Sequence, residues 1–308
     1  MSATHNSPTG LSLRADRVAG SLTTLAHDLA LAQGPGVEAV ESALTGLDVV
    51  SGGRLHRPRE RQVRQVVAGS PTLQTSVHGP HVADLGDLTR GKRRHGAALA
   101  SLEFSIHVGD QALVSHNSCL TEPGPRTTEL ENLALPADAG GGEVTPKVGN
   151  GAHLVDDPLS LTEEIDRPDV GIAYHFGHAQ VAPRDQGFDP LNAVESALLR
   201  IVRFHVPDNF GRGGVICHPP ETGRPLGEGD LHLPPGVIPS CETFAGLQHF
   251  QDLYILELHP SFFQPGRAVD AYPEIEESLL RMRALGERSV PPIEVQLMKL
   301  PPVCILGA

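Results

Sequence analysis

Tryptophan is absent from this 308-residue chain, and aromatic residues make up only 4% of it. Because large aromatic side chains dominate the energetics of protein cores, their scarcity predicts loose packing. The cysteines are few and form no CxxC pair, which indicates free thiols in a reducing compartment; they are Cys119, Cys217, Cys241 and Cys304. There is no run of 18 apolar residues and no secretory signal. We therefore expect a cytoplasmic chain that does not bind membranes.

Lysine is nearly absent as well, since only Lys92, Lys147 and Lys299 occur and arginine supplies the remaining positive charge. The formal net charge of -13 argues against general affinity for nucleic acid. Arginines cluster at 54–64 and again at 90–94, as an RNA- or phosphate-binding patch or a solvated loop would show. No aromatic residue is interleaved to stack on a base, which favours the solvated loop. The composition gives no oligomeric state.

Glycine and proline are abundant, with 33 and 27 residues respectively, which indicates a loop-rich chain. We predict a loosely packed α+β fold with short helices and a few short strands. Residues 1–116 are predicted to hold a helical hairpin, an Arg-rich loop and a β-hairpin. Residues 117–168 are predicted to form a linker or long loop, and residues 169–308 a better-formed α/β-like region.

Apolar spacing predicts the individual elements. In the first region, Leu22, Leu25 and Leu29 share a helical face that ends at Gly34, and a second helix is predicted from Val37 to Gly46. Residues 101–108 alternate between apolar and polar residues and, with 111–114, predict a β-hairpin.

In the last region, Asp189-Pro190 begins a predicted amphipathic helix that continues to His205. Alternation over 170–176 and a dense apolar run from Asp252 to His259 predict two strands.

Histidine pairs are the main candidates for chemistry. His175 and His178 have a spacing that could serve a metal ion on a helix, as do His78 and His81. Both pairs lie in segments predicted as strand or loop, and no further ligand shows a recognised spacing. We therefore predict no assembled metal site, and the weak candidates are His175, His178, Cys217 and His218. His259, with Asp252 and Glu257 nearby, could act as a base but is better explained as a surface histidine.

Motifs that would identify a common enzyme class are missing. The chain has no GxSxG, no P-loop sequence and no HExxH, and its glycine-rich pieces do not match GxGxxG between a strand and a helix. A dinucleotide-binding fold is therefore not supported by the residues.

The chain resembles predicted proteins labelled NAD-specific glutamate dehydrogenase, many of which are considered to be reading frames lying opposite another gene. The segments that carry the resemblance are His81-Val-Ala-Asp-Leu-Gly-Asp-Leu, Gly151-Ala-His-Leu-Val-Asp-Asp and Leu231-His-Leu-Pro-Pro-Gly-Val-Ile. The resemblance implies an oxidoreductase with NAD as cofactor. Such enzymes place a catalytic lysine in a glycine-rich loop, a setting that none of the three lysines has. No catalytic or cofactor-binding residue is therefore assigned.

Two alternatives stay open beside the dehydrogenase. One is a non-enzymatic or incidental protein read from the reverse strand, and the other is a small His-based metal-binding protein.

Overall fold

The structure of the protein is a computed structural model, and it describes part of the chain. The described residues are 8–13, 18–34, 36–80, 91–110, 112–116, 130–131, 134, 143–147, 156–176, 194, 197–206, 247, 250, 253–257 and 278–280. The strands are β1 (Thr9–Leu13), β2 (Ala39–Ala43), β3 (Val50–Ser51), β4 (Arg54–Leu55), β5 (Gln74–His78), β6 (Ala112–His116), β7 (Glu143–Lys147), β8 (Ile172–His175), β9 (Ile201–His205) and β10 (Leu253–Leu256). The helices are α1 (Leu22–Gln33), α2 (Leu44–Leu47), α3 (Arg57–Ala68), α4 (Gly91–His107) and α5 (Asp156–Ile165), with a 3-10 turn at Leu198–Arg200.

Eight of the strands close into a barrel in the order β1-β2-β5-β6-β7-β8-β9-β10, and β10 pairs with β1 again. Every pair in the barrel is parallel. The remaining strands, β3 and β4, form a small antiparallel hairpin. The predicted loosely packed, loop-rich α+β fold is therefore wrong, because alternating strands and helices build a closed parallel barrel. Within the described residues, no helix is long and apolar enough to cross a membrane.

The first predicted helix is confirmed as α1. Ser21 caps it, since its side-chain oxygen accepts a hydrogen bond of 3.1 Å from the Thr24 amide. Leu25 and Leu29 are buried on the face that packs toward the barrel, and Gly34 follows the last turn.

The Arg-rich segment 54–64 is not a solvated loop, because most of it belongs to α3. A proline in the first turn favours this start. Val63 and Glu60 are buried, whereas Arg57 and Arg61 are exposed. Arg57, Arg61 and Arg64 therefore lie on the solvent face of an amphipathic helix, whereas Arg59 is half-buried and donates to the Leu47 carbonyl oxygen.

The predicted β-hairpin over 101–114 is also wrong, because residues 91–107 form α4. Leu102 and Phe104 are buried together with Ser101 and Ser105, whereas Ile106 is exposed. Some of the apolar residues at every second position also lie on the buried face of α4. The small buried serines fill the rest of that face. Only the second half of the predicted hairpin is a strand, as part of β6.

Helical spacing was misleading at two strands. The second predicted helix, Val37 to Gly46, contains β2 and the short α2, and the predicted helix ending at His205 finishes as β9. Both strands are flanked on each side by parallel partners, so sheet pairing overrides the local pattern. The strands predicted within 170–176 and 252–259 are confirmed as β8 and β10.

The barrel separates two apolar clusters of unequal size. The large cluster lies between the sheet and the helices and contains Leu25, Val40, Tyr174, Phe204 and Leu256. The small cluster consists of Ala39, Leu253 and Ile255. A Cβ atom on Gly10 would collide with Ile255 and touch Ala39, which places this small cluster with Gly10 inside the barrel. The lumen therefore has an apolar floor, and the polar residues described next lie farther along the strands.

Candidate active site

The carboxyl ends of the barrel strands carry an unusual set of residues. Histidine is the last residue of four strands, namely His78 of β5, His116 of β6, His175 of β8 and His205 of β9. Glu257 directly follows β10. In a parallel barrel these ends share one rim, where enzymes of this architecture build their active sites. We therefore take this rim as the candidate active site.

The outer part of the site consists of His175, His205 and Glu257. Glu257 Oε2 lies 2.6 Å from His205 Nδ1 and 3.2 Å from His175 Nε2. The two histidines are aligned in the sheet register and their ring centroids are 5.7 Å apart. Both imidazoles are fully buried, whereas the Glu257 side chain is 20% exposed. This cluster therefore reaches the solvent-facing end of the lumen through Glu257.

The deeper part consists of Glu41, His78 and the same His205. His205 Nε2 lies 3.2 Å from Glu41 Oε2, so the imidazole has one ring nitrogen facing each part of the site. His78 and His205 have ring centroids 5.9 Å apart. In both trios the potential ligand atoms lie within 4.8 Å of one another. His205 is thus the residue on which the whole site is centred.

A buried polar layer from other strands of the barrel supports Glu41. Glu41 Oε2 accepts a hydrogen bond of 3.1 Å from the Ser76 hydroxyl, and Arg203 Nη1 lies 3.4 Å from the same oxygen. Arg203 also donates to Ser76, and its other terminal nitrogen is 3.7 Å from Asp110 Oδ1. Asp110 in turn accepts a hydrogen bond of 2.7 Å from the Val77 amide. These contacts hold the Glu41 carboxylate in place.

Electrostatics keep Glu41 ionised despite its burial. Burial by itself raises the pKa of this carboxyl group, but the interactions with His205, His78 and Arg203 outweigh burial and lower the pKa to about 2. Tyr254, on the helix-facing side of β10, has its pKa raised by burial, so it remains a neutral phenol.

The donor set fits a divalent first-row transition metal. Each trio offers two imidazole nitrogens and one carboxylate, a combination that binds zinc and iron in enzymes and leaves a position open. Glu41 Oε1 supports this fit, since it is buried and has no hydrogen-bond partner among the residues that the structure describes. A buried carboxylate oxygen in this state is costly unless a cation or donor meets it.

Only some of the site residues predicted from the sequence lie within the described part of the chain. His175 is a member of the outer trio, whereas His178, Cys217 and His218 fall outside the described residues. His78 belongs to the deeper trio, and its predicted partner His81 is likewise outside. Of the group considered around His259, only Glu257 lies within the described part of the chain, and it faces His205 rather than a surface histidine.

Sequence reasoning missed Glu41, Arg203 and His205 as site residues. His205 was placed at the end of a helical row, and Glu41 lay between apolar residues of a predicted helix. A usable signal was present, because three short runs end alike in Ser-Val-His78, Ala-Tyr-His175 and Arg-Phe-His205. A histidine at the carboxyl end of several strands indicates a shared rim.

Comparisons with known proteins identify the fold and leave the family open. No protein-family model and no curated protein sequence matches the chain. Its structure is similar to that of a xylose isomerase domain protein from Planctomyces limnophilus, with a TM-score of 0.66, 17% identity, and coverage of 90% of this chain and 96% of that one. It is also similar to endonuclease IV from Thermus thermophilus, with a TM-score of 0.61, 17% identity, and coverage of 90% and 98%. A D-allulose 3-epimerase from Methylomonas sp. in complex with D-allulose gives a TM-score of 0.67, 14% identity, and coverage of 91% and 97%.

These similarities overturn the resemblance to NAD-specific glutamate dehydrogenase. The similar structures are isomerase-like, epimerase and endonuclease proteins, so the NAD-linked oxidoreductase prediction is wrong. The same structures favour neither the incidental reverse-strand protein nor the small His-based metal-binding protein. At this level of identity the similarity establishes one thing: the chain has the parallel β-barrel architecture of the TIM-barrel fold.

Proposed function

We propose that the protein is a divalent-metal-dependent enzyme that isomerises or epimerises a small sugar. The observation that carries the proposal is the outer trio, in which His175, His205 and Glu257 converge at the carboxyl rim of a parallel barrel. Sites in this position are catalytic in barrel enzymes, whereas residues at the opposite rim serve stability.

The donor atoms favour particular metal ions. His175 Nε2, His205 Nδ1 and a Glu257 oxygen would hold the ion, and two nitrogen ligands favour manganese, cobalt, iron or zinc over magnesium. The bound ion would supply Lewis-acid polarisation of a substrate carbonyl or hydroxyl oxygen. Glu257 is the partly exposed member of the trio, so substrate would approach from its side.

The remaining residues orient the ligands. With the ion on Nδ1, His205 Nε2 would donate a hydrogen bond to Glu41 Oε2, while Nδ1 stays directed toward Glu257. Ser76 and Arg203 contact Glu41 in turn. Hydrogen bonds that involve charged groups therefore fix the orientation of the His205 ring from its Nε2 side. With its pKa held at about 2, Glu41 stays an acceptor at neutral pH and is a poor general base.

A sugar is the substrate class that the observations support best. One of the similar structures holds D-allulose, and others are named as sugar epimerases. The endonuclease similarity would suggest a nucleic-acid substrate, but a net charge of -13 opposes binding of a polyanion. The isolated cysteines support a cytoplasmic location as part of this proposal.

The proposal is tested by incubating the manganese- or cobalt-loaded protein with a panel of pentoses and hexoses and separating the products by chromatography. We expect at least one sugar to convert into an isomer or epimer, and a chelator to stop the conversion. The Glu257→Gln variant should lose metal affinity by at least about tenfold and lose conversion with it. Glu163→Gln, an exposed change on α5, is the matched control and should behave as the parent. Tight metal binding without conversion of any sugar would contradict the proposed activity.

A further inference from the structure

We propose that the barrel holds a second divalent ion below the first, bound by Glu41, His78 and His205, so that His205 bridges two metal ions through its two ring nitrogens. The second ion belongs to the same class of first-row transition metals as the first. Zinc and cobalt are the probes for its binding. The proposed function needs only the outer ion, so this inference goes beyond it while sharing the outer position.

The geometry of His205 is the first observation. Nδ1 lies 2.6 Å from Glu257 and Nε2 lies 3.2 Å from Glu41. Each ring nitrogen therefore faces a carboxylate oxygen of a different trio, which is the arrangement that a ligand shared between two ions requires.

The second observation is the free oxygen of Glu41. Its Oε2 atom is shared by His205, Ser76 and Arg203, whereas Oε1 has no hydrogen-bond partner within the described part of the chain. The Glu41 side chain is fully buried, so bulk water does not compensate that oxygen. A buried carboxylate with one oxygen held and the other without a described partner, in a trio whose ligand atoms lie within 4.8 Å of one another, has the form of a metal ligand.

The third observation is the orientation of His78. Its Nδ1 atom lies 2.9 Å from the backbone carbonyl oxygen of Gly79. A carbonyl only accepts, so the proton of neutral His78 is on Nδ1 and the lone pair is on Nε2. Histidine ligands are commonly fixed in this way, by a hydrogen bond from the ring nitrogen that does not bind metal. The His78 side chain is therefore prepared as a ligand within the deeper trio.

The balance of charge permits a second cation. Among the described residues, the carboxylates of Glu41, Asp110 and Glu257 lie around one guanidinium, that of Arg203. These described groups therefore carry excess negative charge. With both positions occupied, His205 would bridge as an imidazolate, and any proton on Nδ1 or Nε2 would be released to solvent. Arg203 stays on Oε2 of Glu41 and leaves Oε1 to the ion.

The test counts ions in the full chain after removal of metal by a chelator. Equilibrium dialysis against cobalt(II) should give two ions per chain for the parent protein. Glu41→Gln and His78→Gln should each give one, because each removes a ligand of the deeper position only. Glu257→Gln should also give one, now held in the deeper position. Glu163→Gln should retain both ions.

The outcome separates this inference from the proposed function. One ion per chain in the parent, with the number unchanged in Glu41→Gln and His78→Gln, would show that Glu41 merely orients His205 and would overturn the inference. The sugar conversion described above would be unaffected by that result. Conversely, two bound ions without conversion of any sugar would leave the deeper site in place and remove the proposed function.

A second measurement covers the possibility that both variants fail to fold. The parent protein loaded with copper(II) is studied by electron paramagnetic resonance. A bridging imidazolate couples two copper spins, so the signal per copper should fall when the second equivalent is added. Two equivalents with additive, uncoupled signals would overturn the bridge.

Discussion

Arg203 shows how one residue can hold a polar layer inside a barrel. It is 5% exposed and contacts Glu41, Ser76 and Asp110, residues that belong to or directly precede other strands. Buried ion pairs seldom add net stability over apolar packing, but removing one partner leaves the other charge without compensation. Because this buried polar layer adds little stability, we infer that it serves the candidate site rather than folding.

Replacing Arg203 with methionine keeps much of the side-chain length and removes its charge. We expect the free energy of unfolding of the metal-free protein to fall by about 3–5 kcal/mol, because Glu41 and Asp110 stay buried without their cation. Urea denaturation measures the change. The matched control is Arg200→Met, three residues earlier, whose partner Asp166 is 82% exposed. That change should cost less than about 1 kcal/mol, and equal costs for the two variants would contradict this account of Arg203.

The sequence shows which residue types are available but not which of them meet. His175 was recognisable as a candidate ligand because histidines are conspicuous, yet its partners His205 and Glu257 lie at the ends of β9 and β10, far along the chain. Glu41 and His205 are 164 positions apart and meet only because the barrel closes. Side-chain contacts of this kind depend on the order of the strands in the barrel, and no local sequence pattern reveals that order.

At the scale of elements, α3 and α4 are joined by a buried carboxylate. Glu60 Oε1 lies 2.7 Å from His107 Nδ1, and Glu60 also contacts Arg57 and Arg64 on its own helix. Burial raises the pKa of Glu60, but hydrogen bonds from His107 and Arg57 outweigh burial and lower it below its usual value. A lowered pKa means that the folded protein favours the ionised group.

The stability contributed by Glu60 should therefore depend on pH. It is present above the pKa of about 4.3 that an unfolded glutamate has, and it is lost as the pH falls through the lower folded value. We expect Glu60→Gln to destabilise the protein by about 1–2 kcal/mol at pH 7, and by progressively less below pH of about 4. Thermal melts between pH of about 3 and 7 measure the difference. Glu103→Gln removes the exposed carboxylate on Arg57 and should cost less at every pH. A penalty for Glu60→Gln that grows on acidification would contradict the assignment.

Element prediction from periodicity succeeded at α1, which has one clear apolar face, and at β10, whose run of apolar residues is dense. It failed where the apolar pattern of a strand is interrupted by polar residues. In contrast, β2 and β9 carry polar residues into the lumen and apolar ones toward the helices, and their short length gives few repeats. The alternation in α4 resembled a strand because small serines fill the rest of its buried face.

At the scale of the whole molecule, the barrel closes tightly over a small apolar floor. Scarce aromatic residues had predicted loose packing, but most of the few aromatics described gather between strands and helices. Phe204 stacks on Phe176 with centroids 5.2 Å apart and on Tyr254 at 5.3 Å. Inside, Gly10 leaves just enough space for Ile255 and Ala39. A Cβ atom at position 10 would therefore force the buried Ile255 side chain to shift.

The substitution Gly10→Ala tests this closure. Its Cβ atom would collide with Ile255 and crowd Ala39, so we expect a loss of about 1–3 kcal/mol from overpacking. Gly34→Ala, at the end of α1, meets only ordinary contact and has a right-handed helical conformation. That control should change stability by less than about 1 kcal/mol in either direction. Equal melting temperatures for Gly10→Ala and the parent would mean that the barrel floor is not closed as described.

The most direct test of the central claim is anomalous X-ray scattering from a crystal of the protein loaded with cobalt, recorded at the metal absorption edge. The account predicts a strong peak within bonding distance of His175, His205 and Glu257 at the carboxyl rim of an eight-stranded parallel barrel. A cobalt peak bound elsewhere with this trio empty, or a chain that is not a parallel barrel, would contradict it.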